Sequence, residues 1–100
     1  MFEVRQTADF QRWLDNLRDS RAQKAIVART RRMGLGNFGD VKRVAGSVSE
    51  IRIDYGPGYR LYFMRQGATV VLLLMGGDKH SQKKDIEAAQ AMAEEFRGTK

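Results

Sequence analysis

The sequence predicts an α+β domain, with a twisted, mostly antiparallel sheet of about five strands, an N-terminal helical hairpin and a C-terminal helix. Two patterns predict it. Apolar and polar residues alternate through the middle of the chain, and apolar residues recur every three or four positions towards both ends. The chain has 100 residues, of which 42% are hydrophobic. This is the size and composition of one folded domain, so residues 1–100 are expected to share a single core.

The first predicted elements are a short strand and a helix. Residues 2–6 alternate apolar and polar side chains, as a strand does. Thr7 is a suitable N-cap for a helix that ends near Arg18, and Asp9 lies near the positive end of that helix. The apolar stripe of the helix consists of Phe10, Trp13, Leu14 and Leu17. We expect this stripe, including its aromatic rings, to lie in the core.

A second helix is predicted directly after the first. Asp19 or Ser20 can cap it, and it runs to about Met33, where Gly34 and Gly36 stop it. Its apolar side consists of Ala22, Ile26 and Met33, and its opposite, basic side of Arg21, Lys24, Arg31 and Arg32. The tight turn between the two helices predicts an antiparallel pair with the basic side outside.

The remaining strands are predicted at 41–44, 49–55, 59–65 and 69–75. In the second of these, Ile51, Ile53 and Tyr55 lie on one face and Glu50, Arg52 and Asp54 on the other. The last strand is apolar at nearly every position, so both its faces should be covered. Gly76-Gly77-Asp78 is expected to break it, and a final helix begins at about Ser81. The apolar positions of that helix are Ile86, Ala89, Ala93 and Phe96.

The charge distribution points to a polyanionic partner. Eighteen Lys and Arg stand against twelve Asp and Glu, a net charge of +6. Between Arg21 and Arg43 there are seven basic residues and one acidic residue. Such asymmetry favours nucleic acid, an acidic protein or a membrane surface as a partner, although a solvated basic face is the alternative. The final helix also begins with Lys83 and Lys84, against the preference of the helix dipole.

Several classes of protein are excluded or disfavoured. The chain has no cysteine and one histidine, so neither a disulfide framework nor a Cys/His zinc site is expected. Its acidic residues are scattered, which argues against a two-metal nuclease. The longest apolar run, Val70–Met75, is too short to span a membrane, and the N-terminus does not resemble a signal peptide. We therefore expect a soluble cytoplasmic protein that needs no metal and no cofactor.

The segment Tyr55–Arg60, YGPGYR, predicts a hairpin whose register decides the position of Arg60. A three-residue loop pairs Tyr55 with Tyr59, Asp54 with Arg60, and Arg52 with Tyr62. Arg52, Asp54, Arg60 and Tyr62 then share one face of the sheet. A four-residue loop sends Arg60 to the other face, because a one-residue slip reverses every side chain. The alternative to a functional site is a surface Asp–Arg pair worth less than about 1 kcal/mol.

These residue types suit metal-free RNA cleavage, in which a 2′-hydroxyl attacks the adjacent phosphorus. A fixed guanidinium can stabilise the negative charge that develops on the phosphoryl oxygens, and a lysine or histidine can serve the leaving oxygen. The candidate catalytic residues are Arg60, Lys79, Arg52 and His80. Tyrosines can stack on bases and basic side chains can bind phosphates. The candidate nucleic-acid contacts are Tyr55, Tyr59, Lys42, Arg43, Lys83 and Lys84.

Two segments carry a resemblance to a known family. GPGYR-x-YF, at 56–63, and GGDK-x-x-Q-x-x-DI, at 76–86, resemble the RelE/ParE toxin superfamily. The likeness is strongest to its putative addiction-module killer proteins, the HigB-like or phage Gp49-like subgroup, and extends over nearly the whole chain in the same order of elements. The resemblance implies a RelE-like fold over residues 1–100.

The resemblance also implies a function. It implies a toxin held inactive by a cognate antitoxin, which we expect to be a helix-turn-helix protein of a neighbouring gene. In the RelE and HigB branches it implies an mRNA endonuclease that acts on ribosome-bound message. The family's arginine after Gly-Tyr corresponds to Arg60, and its basic residue after the last strand's glycines corresponds to Lys79, beside His80. At the position of the C-terminal tyrosine of RelE-type nucleases, this chain has Asp85 or no equivalent residue. The ParE branch shares the fold and inhibits DNA gyrase, so a non-catalytic inhibitor is one alternative. A degenerate module that only binds antitoxin or operator DNA is another.

Overall fold

A computed structural model describes residues 1–98 of the chain. The strands are β1 (Glu3–Gln6), β2 (Val41–Ala45), β3 (Val48–Ile53), β4 (Tyr59–Gln66) and β5 (Val70–Asp78). The helices are α1 (Ala8–Asp15), α2 (Ser20–Gly34) and α3 (Gln82–Gly98). The order β-α-α-β-β-β-β-α confirms the predicted α+β class, with two N-terminal helices and a C-terminal helix.

The five strands form one mixed sheet in the order β1-β5-β4-β3-β2. β1 pairs with β5 in parallel, and the other three pairings are antiparallel. β4 and β5 therefore lie in the interior of the sheet, which agrees with the nearly continuous burial of β5. β3 and β4 lead from the interior of the sheet to the tip of their hairpin, residues 54–58.

The helices cover both faces of the sheet. On one face, Phe10 and Leu14 of α1 and Ile26 of α2 pack against odd-numbered strand residues such as Ile51 and Leu61. On the other face, the predicted positions Ala89 and Ala93 of α3 pack against the alternate set. That set consists of Val48, Tyr62, Met64, Leu72 and Leu74. The even-numbered face of β3 and β4 is therefore buried beneath α3 over much of its length.

Local interactions define where the two N-terminal helices begin. The Thr7 hydroxyl accepts a hydrogen bond from the Phe10 N–H, and the Asp19 carboxylate accepts from the N–H groups of Arg21 and Ala22. Both predicted caps are thus confirmed, with Asp19 rather than Ser20 in the second. α1 ends at Asp15, three residues before the predicted Arg18.

The prediction that Gly76-Gly77-Asp78 breaks the last strand was wrong. β5 continues through Asp78, and these residues pair with Leu61, Arg60 and Tyr59 of β4. A Cβ on Gly76 would overlap the ring of Trp13, and a Cβ on Gly77 would overlap the carboxylate of Asp85. The glycines therefore permit close approach of side chains to a continuing strand.

Within residues 1–98, no helix is both long enough and apolar enough to cross a membrane.

Candidate active site

The β3–β4 hairpin has a different register from the predicted one. Ile53 pairs with Tyr59 and Arg52 with Arg60, so the loop contains five residues, Asp54–Gly58. Gly56 and Gly58 have φ angles of 58° and 82°, which side-chain-bearing residues rarely adopt. The predicted pairing of Asp54 with Arg60 was therefore wrong. The shift is two residues, however, and an even shift preserves the face of each side chain.

Arg60 consequently lies on the same face as Arg52, and its partner is Glu50. Its Nη1 donates to Glu50 Oε2 at 3.1 Å, and Arg52 Nε donates to the same oxygen at 3.2 Å. The other carboxylate oxygen, Oε1, accepts from Gln82 Nε2 at 2.8 Å. Glu50 therefore connects two arginines of the hairpin with the first residue of α3.

The burial of this group differs sharply from one member to the next. The side chain of Glu50 is 0% exposed and that of Arg60 12% exposed, whereas 47% of Arg52 is accessible. A buried carboxylate without cationic partners would be strongly unfavourable, so the arginines make its burial possible. The sequence had placed Glu50 correctly on the face of Arg52, but its complete burial depends on α3.

Two polar atoms beside Glu50 have no partner within residues 1–98. Arg60 Nε and the hydroxyl of Tyr62 are both buried without a hydrogen bond. Burial, together with the negative charges of Glu50 and Asp85, raises the pKa of Tyr62 far above its usual range, so the phenol stays protonated. The site therefore contains a buried, neutral phenol beside an ion pair.

The tip of the hairpin forms one wall of an open groove of about 620 Å³. Its basic side chains come from three parts of the chain: Arg29 and Arg32 of α2, Arg52 and Arg60 of the hairpin, and Lys79 after β5. Its lining includes two carboxylates, Asp40 and Asp54, so cations exceed carboxylates by three. A concave surface of this charge is suited to a phosphate backbone.

Sequence reasoning did not assign Arg29 and Arg32 to this site. The guanidinium of Arg29 lies so close to Gly39 that a Cβ there would collide with it, and Gly39 has a φ angle of 70°. Gly39 thus brings the loop before β2 against the end of α2. The spacing of three residues between Arg29 and Arg32 indicated a shared helix face, but not what that face meets.

The groove brings together four of the predicted site residues, namely Arg52, Arg60, Lys79 and Tyr59. Burial, with the charges of Asp19 and Asp78, raises the pKa of Tyr59, which is 8% exposed. Tyr55 packs partly against the core beneath α1 and α2. The predicted residues outside the groove lining are His80, Tyr55, Lys42, Arg43, Lys83 and Lys84. Three of the four candidate catalytic residues therefore line the groove.

The contact with Glu50 restricts which atoms of Arg60 can bind a phosphate. Because Nη1 binds Glu50 and Nε is buried, a phosphate can approach this side chain only at its Nη groups. Arg52, Lys79, Arg29 and Arg32 supply the remaining positive charge around the groove. No group of three or more His, Asp or Glu side chains with the geometry of a metal site occurs within residues 1–98.

Comparison with known proteins gives one informative relative. No family model matches the chain. An uncharacterized protein of Haemophilus influenzae is 45% identical over 94 residues, which cover 94% of this chain and 95% of that protein. The shared segment includes nearly all elements of the fold, because it omits only six of the 100 residues. The chain therefore belongs to the same protein family as this Haemophilus influenzae protein.

Proposed function

We propose that this protein is the toxin of a toxin–antitoxin module, of the HigB-like or phage Gp49-like subgroup of the RelE/ParE superfamily. Its activity is metal-independent cleavage of mRNA on the ribosome, which inhibits translation in the cytoplasm. The observation that carries the proposal is the cationic groove at the tip of the β3–β4 hairpin, where Arg52, Arg60 and Lys79 converge. Two sequence segments support it, the GPGYR hairpin and the GGDK segment, because both contribute residues to this groove.

In the proposed reaction, the 2′-hydroxyl of the RNA attacks the adjacent phosphorus and loses its proton to water. The bond between phosphorus and the 5′ oxygen breaks, and the ammonium of Lys79 protonates that oxygen as it leaves. Negative charge on the phosphoryl oxygens is stabilised by the Nη groups of Arg60 and by Arg52. Glu50 holds Arg60 in a fixed position, so little reorganisation is needed during the reaction.

The proposal also requires a protein that keeps the toxin inactive. The net charge of +6 and the basic groove suit an acidic antitoxin, with RNA and antitoxin competing for the same cations. We expect that antitoxin to be a helix-turn-helix protein encoded next to the toxin.

The direct test is expression of the chain in bacteria, followed by mapping of transcript 5′ ends. Growth arrest with new 5′ ends is expected, and Arg60→Ala should lower cleavage by at least ~100-fold. Arg12→Ala controls for the loss of a surface arginine, because Arg12 is an exposed residue of α1 that pairs with Asp9, and circular dichroism checks that Arg60→Ala is folded. Cleavage by Arg60→Ala at the wild-type rate would overturn the assignment of Arg60.

A second function, inhibition of gyrase or another target without catalysis, has one observation in its favour. Arg60 is occupied by Glu50, and His80 lies outside the groove, which leaves a basic surface with fewer reactive groups than the sequence predicted. Growth arrest without new transcript ends, together with loss of DNA supercoiling activity by purified gyrase, would support this alternative over cleavage.

A further inference from the structure

A second pocket, of about 440 Å³, lies beside the groove. β1 ends at Gln6, opposite Leu73, so within residues 1–98 the last part of β5 pairs only with β4. The pocket occupies the space beyond β1, between α1 and α3, and Tyr59 lines both this pocket and the groove. A ligand that extends past Tyr59 can therefore occupy both.

Two aromatic side chains, Trp13 and Tyr59, line the pocket. The indole of Trp13 lies directly against the backbone of Gly76, where any Cβ would overlap the ring. Tyr59 contacts Trp13 edge-on, with ring centroids 6.2 Å apart. Met75 and Met92 add flexible apolar surface to the same lining. This composition suits a planar ring that stacks or packs against aromatic and thioether groups.

Two of the pocket's carboxylates, those of Asp78 and Asp85, both form hydrogen bonds with Ser81. Asp85 is 7% exposed, and its Oδ2 accepts from the Ser81 hydroxyl. Asp78 Oδ1 accepts from the N–H groups of His80 and Ser81. Within residues 1–98, Asp85 Oδ1 and Asp78 Oδ2 accept no hydrogen bond. Both oxygens are also partly accessible rather than fully buried. Each aspartate therefore keeps one oxygen available to a ligand that can donate.

The two neighbouring sites have opposite charge. The pocket contains Asp9, Asp78 and Asp85 against Lys84, whereas the groove has three more cations than carboxylates. A ligand that fits both must be anionic at one end and must present hydrogen-bond donors on a flat ring at the other. Nucleotides have this character, because the phosphate is anionic and several bases carry N–H groups.

We propose that this pocket binds a guanine base of an RNA whose phosphate lies in the groove. The inference rests on the proposed function, because that function makes RNA the molecule to which the guanine belongs. Guanine presents two adjacent donors, N1–H and N2–H₂, and a carboxylate oxygen can accept from each of them. Adenine and cytosine place a ring-nitrogen acceptor beside their amino group, and uracil has one N–H between two carbonyls. A carboxylate accepts only, so each of these bases would meet it with a repulsive acceptor.

Trp13 allows a direct test, because it is the only tryptophan in the chain. Guanosine 5′-monophosphate should quench its fluorescence and bind at least ~10-fold more tightly than uridine 5′-monophosphate. Asp85→Asn should remove most of that preference. Glu87→Gln, an exposed carboxylate in the same helix and outside the pocket, should leave it unchanged. Urea denaturation checks that each variant is folded, and Asp78→Asn replaces Asp85→Asn if the latter is not.

Equal affinities for the two nucleotides would overturn the proposal that the pocket binds guanine. An unchanged preference for the guanine nucleotide in a folded aspartate variant would also overturn it. Tighter binding of N-acetyl-arginine amide than of the guanine nucleotide would also overturn it, in favour of a side chain from a partner protein. The outcomes separate this inference from the nuclease proposal. Guanine preference in a chain that cleaves no message supports the pocket alone, and cleavage without guanine preference supports the nuclease alone.

Discussion

Replacement of Glu50 by glutamine tests the central interaction of the site. The substitution keeps the shape of the side chain and removes its charge, while the amide of Gln82 can turn to preserve its hydrogen bond. Arg60, with 12% of its side chain exposed, then keeps a positive charge without a counter-charge. Loss of one partner from a buried ion pair costs about 3–5 kcal/mol, mainly because the other charge remains buried.

The magnitude for this site is near the lower end of that range. Arg52 is 47% exposed, so its contact with Glu50 is screened by water and contributes less than about 1 kcal/mol. The buried contact with Arg60 dominates, and we expect Glu50→Gln to lower the free energy of unfolding by about 3 kcal/mol. For a domain of this size, a loss of that magnitude lowers Tm by roughly 12–24 °C.

Urea denaturation followed by far-UV circular dichroism measures the change. Glu3→Gln is the matched control, because Glu3 pairs with Arg5 at the surface, where both side chains are more than half exposed. The control should change stability by less than about 0.5 kcal/mol. A loss below about 1 kcal/mol in Glu50→Gln would show that water compensates Arg60, and the account of a buried ion pair would be wrong.

Two further substitutions test the packing around the site. Tyr62→Phe removes a buried hydroxyl that has no partner within residues 1–98, so it should raise stability at pH 7 by about 1 kcal/mol. The pKa of Tyr62 is raised in the folded protein, so only the unfolded chain ionises at this residue just above pH 10, and stability falls there as pH rises. Urea titrations at pH 8 and pH 11 should show a smaller alkaline loss in Tyr62→Phe, and an equal loss would refute the shift. Gly76→Ala forces the Trp13 indole off β5 and should cost about 1–3 kcal/mol with a shift in tryptophan emission. Gly34→Ala, where a Cβ meets only ordinary contacts, should be neutral or stabilising in the same assay.

The sequence predicted the elements well where their pattern is local. Alternation placed Arg52 and Arg60 on one face of the sheet, and this held although the register was wrong by two residues, because an even shift preserves the face. Apolar spacing identified Ala89 and Ala93 as the buried side of α3. Such patterns depend on a residue's own strand or helix.

The rest depends on contacts between distant parts of the chain. Glu50 is buried because α3 crosses its face of the sheet, and Gln82 reaches it from 32 residues away. β5 continues through its two glycines because it pairs there with β4, and the missing side chains leave room for Trp13 and Asp85. No periodicity in β3 or β5 contains this information. In the local sequence, a charged residue such as Glu50 is typical of a solvated strand face. A Gly-Gly pair is typical of the end of a strand.

Substitution of Glu50 also distinguishes two possible roles of the groove's cations, attraction of phosphates and catalysis by an arginine held in place. Its carboxylate neutralises one of two guanidiniums, so the trio with Arg52 and Arg60 carries one net positive charge. Glu50→Gln raises that charge by one. If the groove only attracts phosphates, RNA binding should tighten and its salt dependence should steepen by about one unit of slope. If Arg60 must be held in place, cleavage should fall by ~10-fold or more despite tighter binding, because small displacements of a catalytic group are costly. Both assays can be run below the unfolding temperature of the variant. Cleavage that rises together with affinity would show that Glu50 does not position Arg60 for the reaction.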